Sequence, residues 1–85
     1  MSIRDFKIPE EIHLLCLLHN IGATDSERAL TSEEITNWSA LQPEKVRLNV
    51  QKLIEANYLQ KVLADETERY HVTVNGIRKV LSMYS

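Results

Sequence analysis

The sequence contains few of the residues that cross-link, kink or loosen a chain. Its 85 residues include one cysteine, two glycines, two prolines and one tryptophan. A lone cysteine excludes an internal disulfide framework and favours a reducing, cytoplasmic setting. The scarcity of glycine and proline excludes collagen-like and low-complexity chains. The length and the ordinary hydrophobic fraction of 44% predict one domain over residues 1–85.

Long apolar runs and a large charge of one sign are also missing. The longest apolar stretch, around residues 14–18, is far shorter than the roughly 20 residues of a membrane-spanning helix. No pattern typical of a signal peptide opens the sequence, so we expect neither secretion nor membrane attachment. Ten basic and twelve acidic residues give a net charge of −2, which argues against an unspecific polyanion binder.

The apolar residues that are present fall first in a helical segment near the start. Proline suits the first turn of a helix, and carboxylates suit its positive end, so Pro9 followed by Glu10 and Glu11 predicts a helix over about 9–20. Residues 12–18 are apolar nearly all round, which means that this helix needs neighbours on more than one side. A second copy of the chain is one such neighbour.

Two more helices are predicted in the middle of the sequence. Thr31 and Glu34 form the pattern of a capping box that opens a short helix over 32–38. Pro43 starts a helix over about 43–56, which Asn57 ends in a left-handed conformation. The apolar residues of this second helix recur at helical spacing: Val46, Val50, Leu53 and Ile54.

A hairpin and a last helix complete the chain. Residues 58–63 and 69–72 are β-prone, and the polar residues 64–68 between them predict a turn of about five residues. Thr73 is then in place to cap a final helix over about 74–84.

This order of elements resembles the winged helix-turn-helix transcription regulators of the MarR and ArsR kind, over roughly residues 9–84. LTSEEI at 30–35 resembles the first helix of the helix-turn-helix, and QPEKVRLNVQKLIEANYL at 42–59 resembles the recognition helix and its exit into a strand. ERYHVTVNGI at 68–77 resembles the second wing strand and the start of the last helix. The resemblance implies an α+β, mostly α fold with a three-helix core, a β-hairpin wing at about 58–73 and a C-terminal helix.

The sequence departs from the family pattern at a few positions. Thr36 stands where the family often has a small residue, and Ser39 where it often has a leucine. Trp38 either supplies that missing apolar volume or stands partly exposed. Ala40 takes the place of a common turn glycine, and Asn57 that of the glycine after the recognition helix.

The resemblance implies that the helix over 43–56 enters the major groove of double-stranded DNA, in a dimeric transcription regulator. Arg47 suits bidentate bonding to guanine, Gln51 or Gln42 suits adenine, and Lys45 suits a phosphate. The DNA contacts predicted in this way are Gln42, Lys45, Arg47, Gln51, Lys52 and Arg69.

Acidic residues near the same surface favour a different partner. Asp65, Glu66 and Glu68 lie in the wing with Arg69 as the neighbouring cation, whereas a wing that enters a minor groove normally carries arginine or lysine. Glu44, early in the recognition helix, either accepts a hydrogen bond from cytosine or stabilises the helix dipole. The alternative hypothesis is a winged helix that acts as a protein–protein interaction module in a larger assembly.

The first and last helices carry more apolar surface than a core of this size absorbs. Pairing them across a two-fold axis buries the excess and sets two recognition helices about one DNA turn apart. The homodimer interface predicted on this basis comprises Leu14, Leu17, Leu18, Ile77, Leu81 and Tyr84.

Catalytic, cofactor and metal sites are not expected. The sequence has no recognisable nucleophile–base pattern and no glycine-rich phosphate loop. His13, Cys16 and His19 are suitable ligands for zinc or copper. They lack a second cysteine and the i, i+4 spacing usual for metal pairs on helices. We therefore predict that the protein is not an enzyme and binds no cofactor or metal.

Overall fold

The computed structural model describes residues 8–84. Residues 1–7 and 85, which the predicted domain includes, lie outside the described residues. Between 8 and 84 the chain forms four α-helices and one antiparallel hairpin, in the predicted order. The elements are α1 (Glu10–Asn20), a 3₁₀ turn (Ser26–Arg28), α2 (Ser32–Ser39), α3 (Pro43–Glu55), β1 (Leu59–Ala64), β2 (Thr67–Val72) and α4 (Val74–Ser82).

Side-chain caps begin two of the helices, as the sequence predicts. Thr31 Oγ1 accepts a hydrogen bond from the Glu34 N–H at 3.1 Å, and Glu34 Oε1 accepts one from the Thr31 N–H at 2.9 Å. Thr73 Oγ1 accepts from the Gly76 N–H at 3.0 Å and donates to the Asn57 carbonyl at 2.8 Å. A single threonine therefore starts α4 and ties it to the end of α3.

The core lies where α1, α3 and α4 meet the base of the hairpin. Leu59 and Val72, which are paired at that base, are both buried. Helix α4 lies so close to the start of the hairpin that a Cβ on Gly76 would collide with the carbonyl oxygen of Tyr58. The largest fully buried apolar side chains come from all parts of the fold: Leu15, Leu18, Ile35, Val46, Leu53, Val72 and Val80.

The wing turn is shorter than the sequence suggests. The strands stay paired as far as Ala64 and Thr67, which leaves only Asp65 and Glu66 in the turn. Both turn residues have positive φ angles, 53° and 64°, the pattern of a type I′ turn whose twist matches that of the strands. The predicted five-residue turn at 64–68 is wrong, because polar side chains at an exposed hairpin tip conceal the strand pattern.

Two residues at helix ends adopt the left-handed conformation. Asn57, after α3, has a φ of 66°, which confirms the prediction for that residue. Ala40, after α2, has a φ of 60°, although its Cβ disfavours this region. Trp38, just before this turn, is 58% exposed and does not fill the core. None of the helices within residues 8–84 is both long and apolar enough to cross a membrane.

Candidate nucleic-acid interface

Helix α3 buries one side and presents the opposite side to solvent. Its buried residues are Val46, Asn49, Val50 and Leu53. The opposite side is a stripe of exposed residues at three- and four-residue spacing, here called the outward stripe: Glu44, Leu48, Gln51 and Glu55. Any macromolecule that docks on α3 meets this stripe first.

Two lysines lie along the flank of α3 that faces α1. Lys45 Nζ is 3.7 Å from Glu10 Oε1, and Lys52 Nζ is 3.9 Å from Glu11 Oε1. Both lysine side chains are about half exposed, and exposed ion pairs of this kind contribute little to stability because water screens them. The two lysines are thus held loosely and remain within reach of an outside anion.

A buried amide joins the same flank to α1, and sequence reasoning missed it. Asn49 Nδ2 donates a hydrogen bond to Glu10 Oε1 at 3.0 Å, the oxygen that also faces Lys45. The hydrogen bond from Asn49, assisted by the charge of Lys45, holds the pKa of Glu10 below its ordinary value. The signal was available, because Asn49 follows Val46 by three residues and so shares the apolar face of the helix.

The other flank of α3 borders a groove of about 460 Å³ between α2, α3 and the hairpin. Arg47 lies on this flank and lines the groove. Helix α2 contributes Thr36 and Asn37, and the hairpin contributes Lys61 and Tyr70. The groove therefore brings two cations, from α3 and from the wing, to one side of the outward stripe, beside the carboxylates of Glu33 and Glu68.

Lys61 is a second residue that sequence reasoning missed. It is paired directly with Tyr70 across the hairpin, and its Nζ lies 3.5 Å from Glu68 Oε2. Partial burial, and next the carboxylate of Glu68, raise the pKa of Tyr70. Because side chains alternate along a strand, Lys61 shares the face of buried Leu59, and this alternation was readable in the sequence.

Arg69 lies on the other face of the hairpin, away from the groove. Its Nη1 is 3.5 Å from Glu34 Oε1 and donates to the Ala29 carbonyl at 3.5 Å. The neighbouring Tyr70 exchanges backbone hydrogen bonds with Leu30. These contacts hold the wing against the start of α2, and the structure does not bring Arg69 together with the predicted contacts on α3.

The two glutamines of the predicted set lie on the surface. Gln42 is the residue before α3 and is exposed. Gln51 lies on the outward stripe, and its Nε2 donates to Glu55 Oε2 at 3.2 Å. This exposed hydrogen bond exchanges readily with water or with a ligand.

The predicted dimer residues divide between the core and the surface. Leu14 and Leu18 are only 2% and 0% exposed. They face the interior because this side of α1 packs within the protomer, so they have no surface left to offer a second copy. The predicted residues that still reach the surface are Leu17, Ile77, Leu81 and Tyr84.

The histidines and the cysteine of α1 differ in how far they reach the surface. Across the described range 8–84, no three His, Cys, Asp or Glu side chains are grouped to hold a metal ion. His13 is exposed, whereas Cys16 and His19 are half-buried. Burial raises the pKa of the Cys16 thiol, which disfavours the thiolate that metals require.

No protein-family model and no curated protein matches the sequence. Solved structures do match its fold. The DNA-binding fragment of TubR from Clostridium botulinum superposes with a TM-score of 0.77 at 24% identity, over 92% of this chain and 99% of that fragment. A MarR family protein from Bacillus stearothermophilus gives 0.74 at 17% identity, over 96% of this chain and 55% of that one.

The S. aureus protein MepR, solved as a complex with DNA, also matches. Its TM-score is 0.75 at 17% identity, over 98% of this chain and 59% of MepR. The chain thus spans little more than half the length of the MarR family protein and of MepR. The backbone agreement identifies the fold of this chain as the winged helix-turn-helix of TubR and MarR-type proteins.

Proposed function

We propose that this protein binds double-stranded DNA sequence-specifically, as a dimeric transcription regulator that inserts α3 into the major groove. The observation that carries the proposal is the charge arrangement around α3. Lys45 and Lys52 lie on one flank of the outward stripe, and Arg47 and Lys61 on the other. A helix in a major groove has a phosphate strand on each side, and such an arrangement supplies cations to both.

The similar structures support the same function. The TubR fragment is described as DNA-binding, and MepR was solved on DNA. With α3 in the groove, Arg47 suits guanine, and Gln51 suits adenine once it releases Glu55. Lys45 and Lys52 bind phosphates in exchange for their weak ion pairs with α1. Arg69 keeps a structural role and holds the wing in position.

The tip of the wing contributes little to DNA binding in this proposal. Asp65 and Glu66 occupy the two-residue turn and are both exposed. Carboxylates at this tip are repelled by a minor groove, whose potential is negative. The alternative, a protein–protein module, is favoured by one observation: Leu63, beside this acidic turn, is 71% exposed.

The proposal extends to assembly and location. A second copy that packs on α1 and α4 would cover Leu17, Ile77 and Tyr84, and would set two α3 helices about 34 Å apart, one DNA turn. The single domain over residues 1–85, the cytoplasmic location and the lack of catalysis remain predictions.

Fluorescence anisotropy with a labelled mixed-sequence duplex at two salt concentrations tests the DNA-binding function. We expect affinity to fall steeply with salt, because phosphate contacts release counterions. On a selected site, Arg47→Ala should weaken binding by about 1–3 kcal/mol, the usual cost of losing a bidentate base contact.

The matched control is Arg28→Ala. Arg28 is exposed in the 3₁₀ turn, outside α3 and the groove, so its removal should leave DNA affinity nearly unchanged. Absence of binding at about 50 mM salt, where screening is weak, would contradict the proposal and favour the protein-interaction alternative. Equal losses for both variants would instead assign the effect to general charge.

A further inference from the structure

Leu48 is the one large apolar side chain of α3 that stands exposed. It lies at the centre of the outward stripe, with Glu44 one turn before it and Gln51 one turn after it, and is 52% exposed. A single exposed leucine is common on protein surfaces. The significance of this one lies in its position between the two cationic flanks of α3.

Those flanks determine what Leu48 meets when DNA is bound. With Lys45 and Lys52 near one phosphate strand and Lys61 near the other, the outward stripe and the adjacent Arg47 face the floor of the major groove. The base edges there are hydrogen-bond donors and acceptors, apart from one apolar group, the C5-methyl of a pyrimidine. Leu48 has no polar atom, so this methyl is the group that its side chain complements.

We propose that Leu48 determines specificity by packing on the C5-methyl group of a pyrimidine in the bound DNA. The inference rests on the proposed function. Both thymine and 5-methylcytosine carry this group at the same place in the groove. Glu44 lies about 6 Å away along the helix, so the base that it approaches is within about two base pairs of the one that Leu48 contacts.

The test uses the full chain and a duplex selected for tight binding by the wild type. Each thymine is replaced in turn by deoxyuridine, which removes only the methyl group, and each cytosine is replaced in turn by 5-methylcytosine. We expect one deoxyuridine position per half-site to weaken wild-type binding about fourfold, the effect of one buried methyl-sized group. If 5-methylcytosine is the natural ligand, one methylation should instead strengthen binding by a similar factor.

Leu48→Ala should abolish the effect of the pyrimidine methyl group on affinity that the wild type shows. It should bind the duplex with the methyl group and the duplex without it equally. Leu63→Ala is the matched control, because Leu63 is also an exposed leucine but lies on the wing. Leu63→Ala should retain the wild-type difference in affinity between the duplexes with and without the methyl group. Because Leu48 is half exposed, its truncation should leave the unfolding midpoint nearly unchanged, and a urea titration checks this.

The outcomes separate the inference from the function on which it rests. Specific, salt-dependent binding without any response to pyrimidine methylation would overturn the role of Leu48 and leave the DNA-binding function intact. A methyl response that survives in Leu48→Ala would overturn it as well. Failure of every duplex to bind would remove both proposals together.

Discussion

Ala40 carries a backbone conformation that suits glycine, with a φ of 60° at the turn between α2 and α3. A Cβ in this region costs roughly 1–2 kcal/mol of stability. Glycine avoids that cost, but part of the gain is lost because glycine has more conformational freedom in the unfolded chain. We therefore expect Ala40→Gly to raise the free energy of unfolding by about 0.5–1 kcal/mol, measured by urea denaturation. Asn57→Gly should gain less, because asparagine tolerates the same conformation better. A loss of stability in Ala40→Gly would show that the turn is not strained.

At the scale of elements, the link between α1 and α3 orients the proposed recognition helix. It depends on the carboxylate of Glu10, which accepts from Asn49 and faces Lys45. Folding lowers the pKa of Glu10 from its ordinary 4.5. The ionised carboxylate therefore stabilises the fold fully at pH values above 4.5, and this stabilisation is lost as the pH falls through the lowered pKa. Urea denaturation should find Glu10→Gln less stable than the wild type at pH 7, and this difference should shrink as the pH is lowered from 4.5 toward 3.

The control for this link is Glu27→Gln, an exposed residue of the 3₁₀ turn. It should not reproduce the pH-dependent gap, since no such hydrogen bond from a buried amide supports its carboxylate. A gap that persists unchanged at pH 3 would mean that Glu10 stabilises the fold through packing and not through its charge.

At the scale of the whole molecule, we expect the proposed assembly and DNA binding to depend on each other. We expect light scattering to give a mass near twice 9.8 kDa, and Tyr84→Glu to give a monomer, because Tyr84 is 68% exposed on the proposed dimer face. The monomer should bind a two-half-site duplex more weakly, since two linked sites bind with a high effective concentration. Leu63→Glu, on the wing, should remain dimeric. A wild-type mass near 9.8 kDa would contradict the dimer.

The local structure could be read from the sequence because its signals act over a few residues. Thr31 with Glu34, and Thr73, cap helices through hydrogen bonds to residues three positions away. Proline at the first turn of α3 and asparagine just after its end likewise act on their own backbone. The wing turn was the exception, since its exposed strand ends carry no apolar alternation.

The number and order of the elements, and their approximate limits outside the hairpin, were therefore predictable from the sequence, and with them the winged-helix fold. The tertiary structure alone decided which surface each side chain reaches. Asn49 meets Glu10 and Arg69 meets Ala29 across 39 and 40 residues of chain, and Leu14 turns inward. Periodicity shows that a helix has an apolar face, whereas packing between distant segments decides which residues that face buries and which cations remain available to a partner.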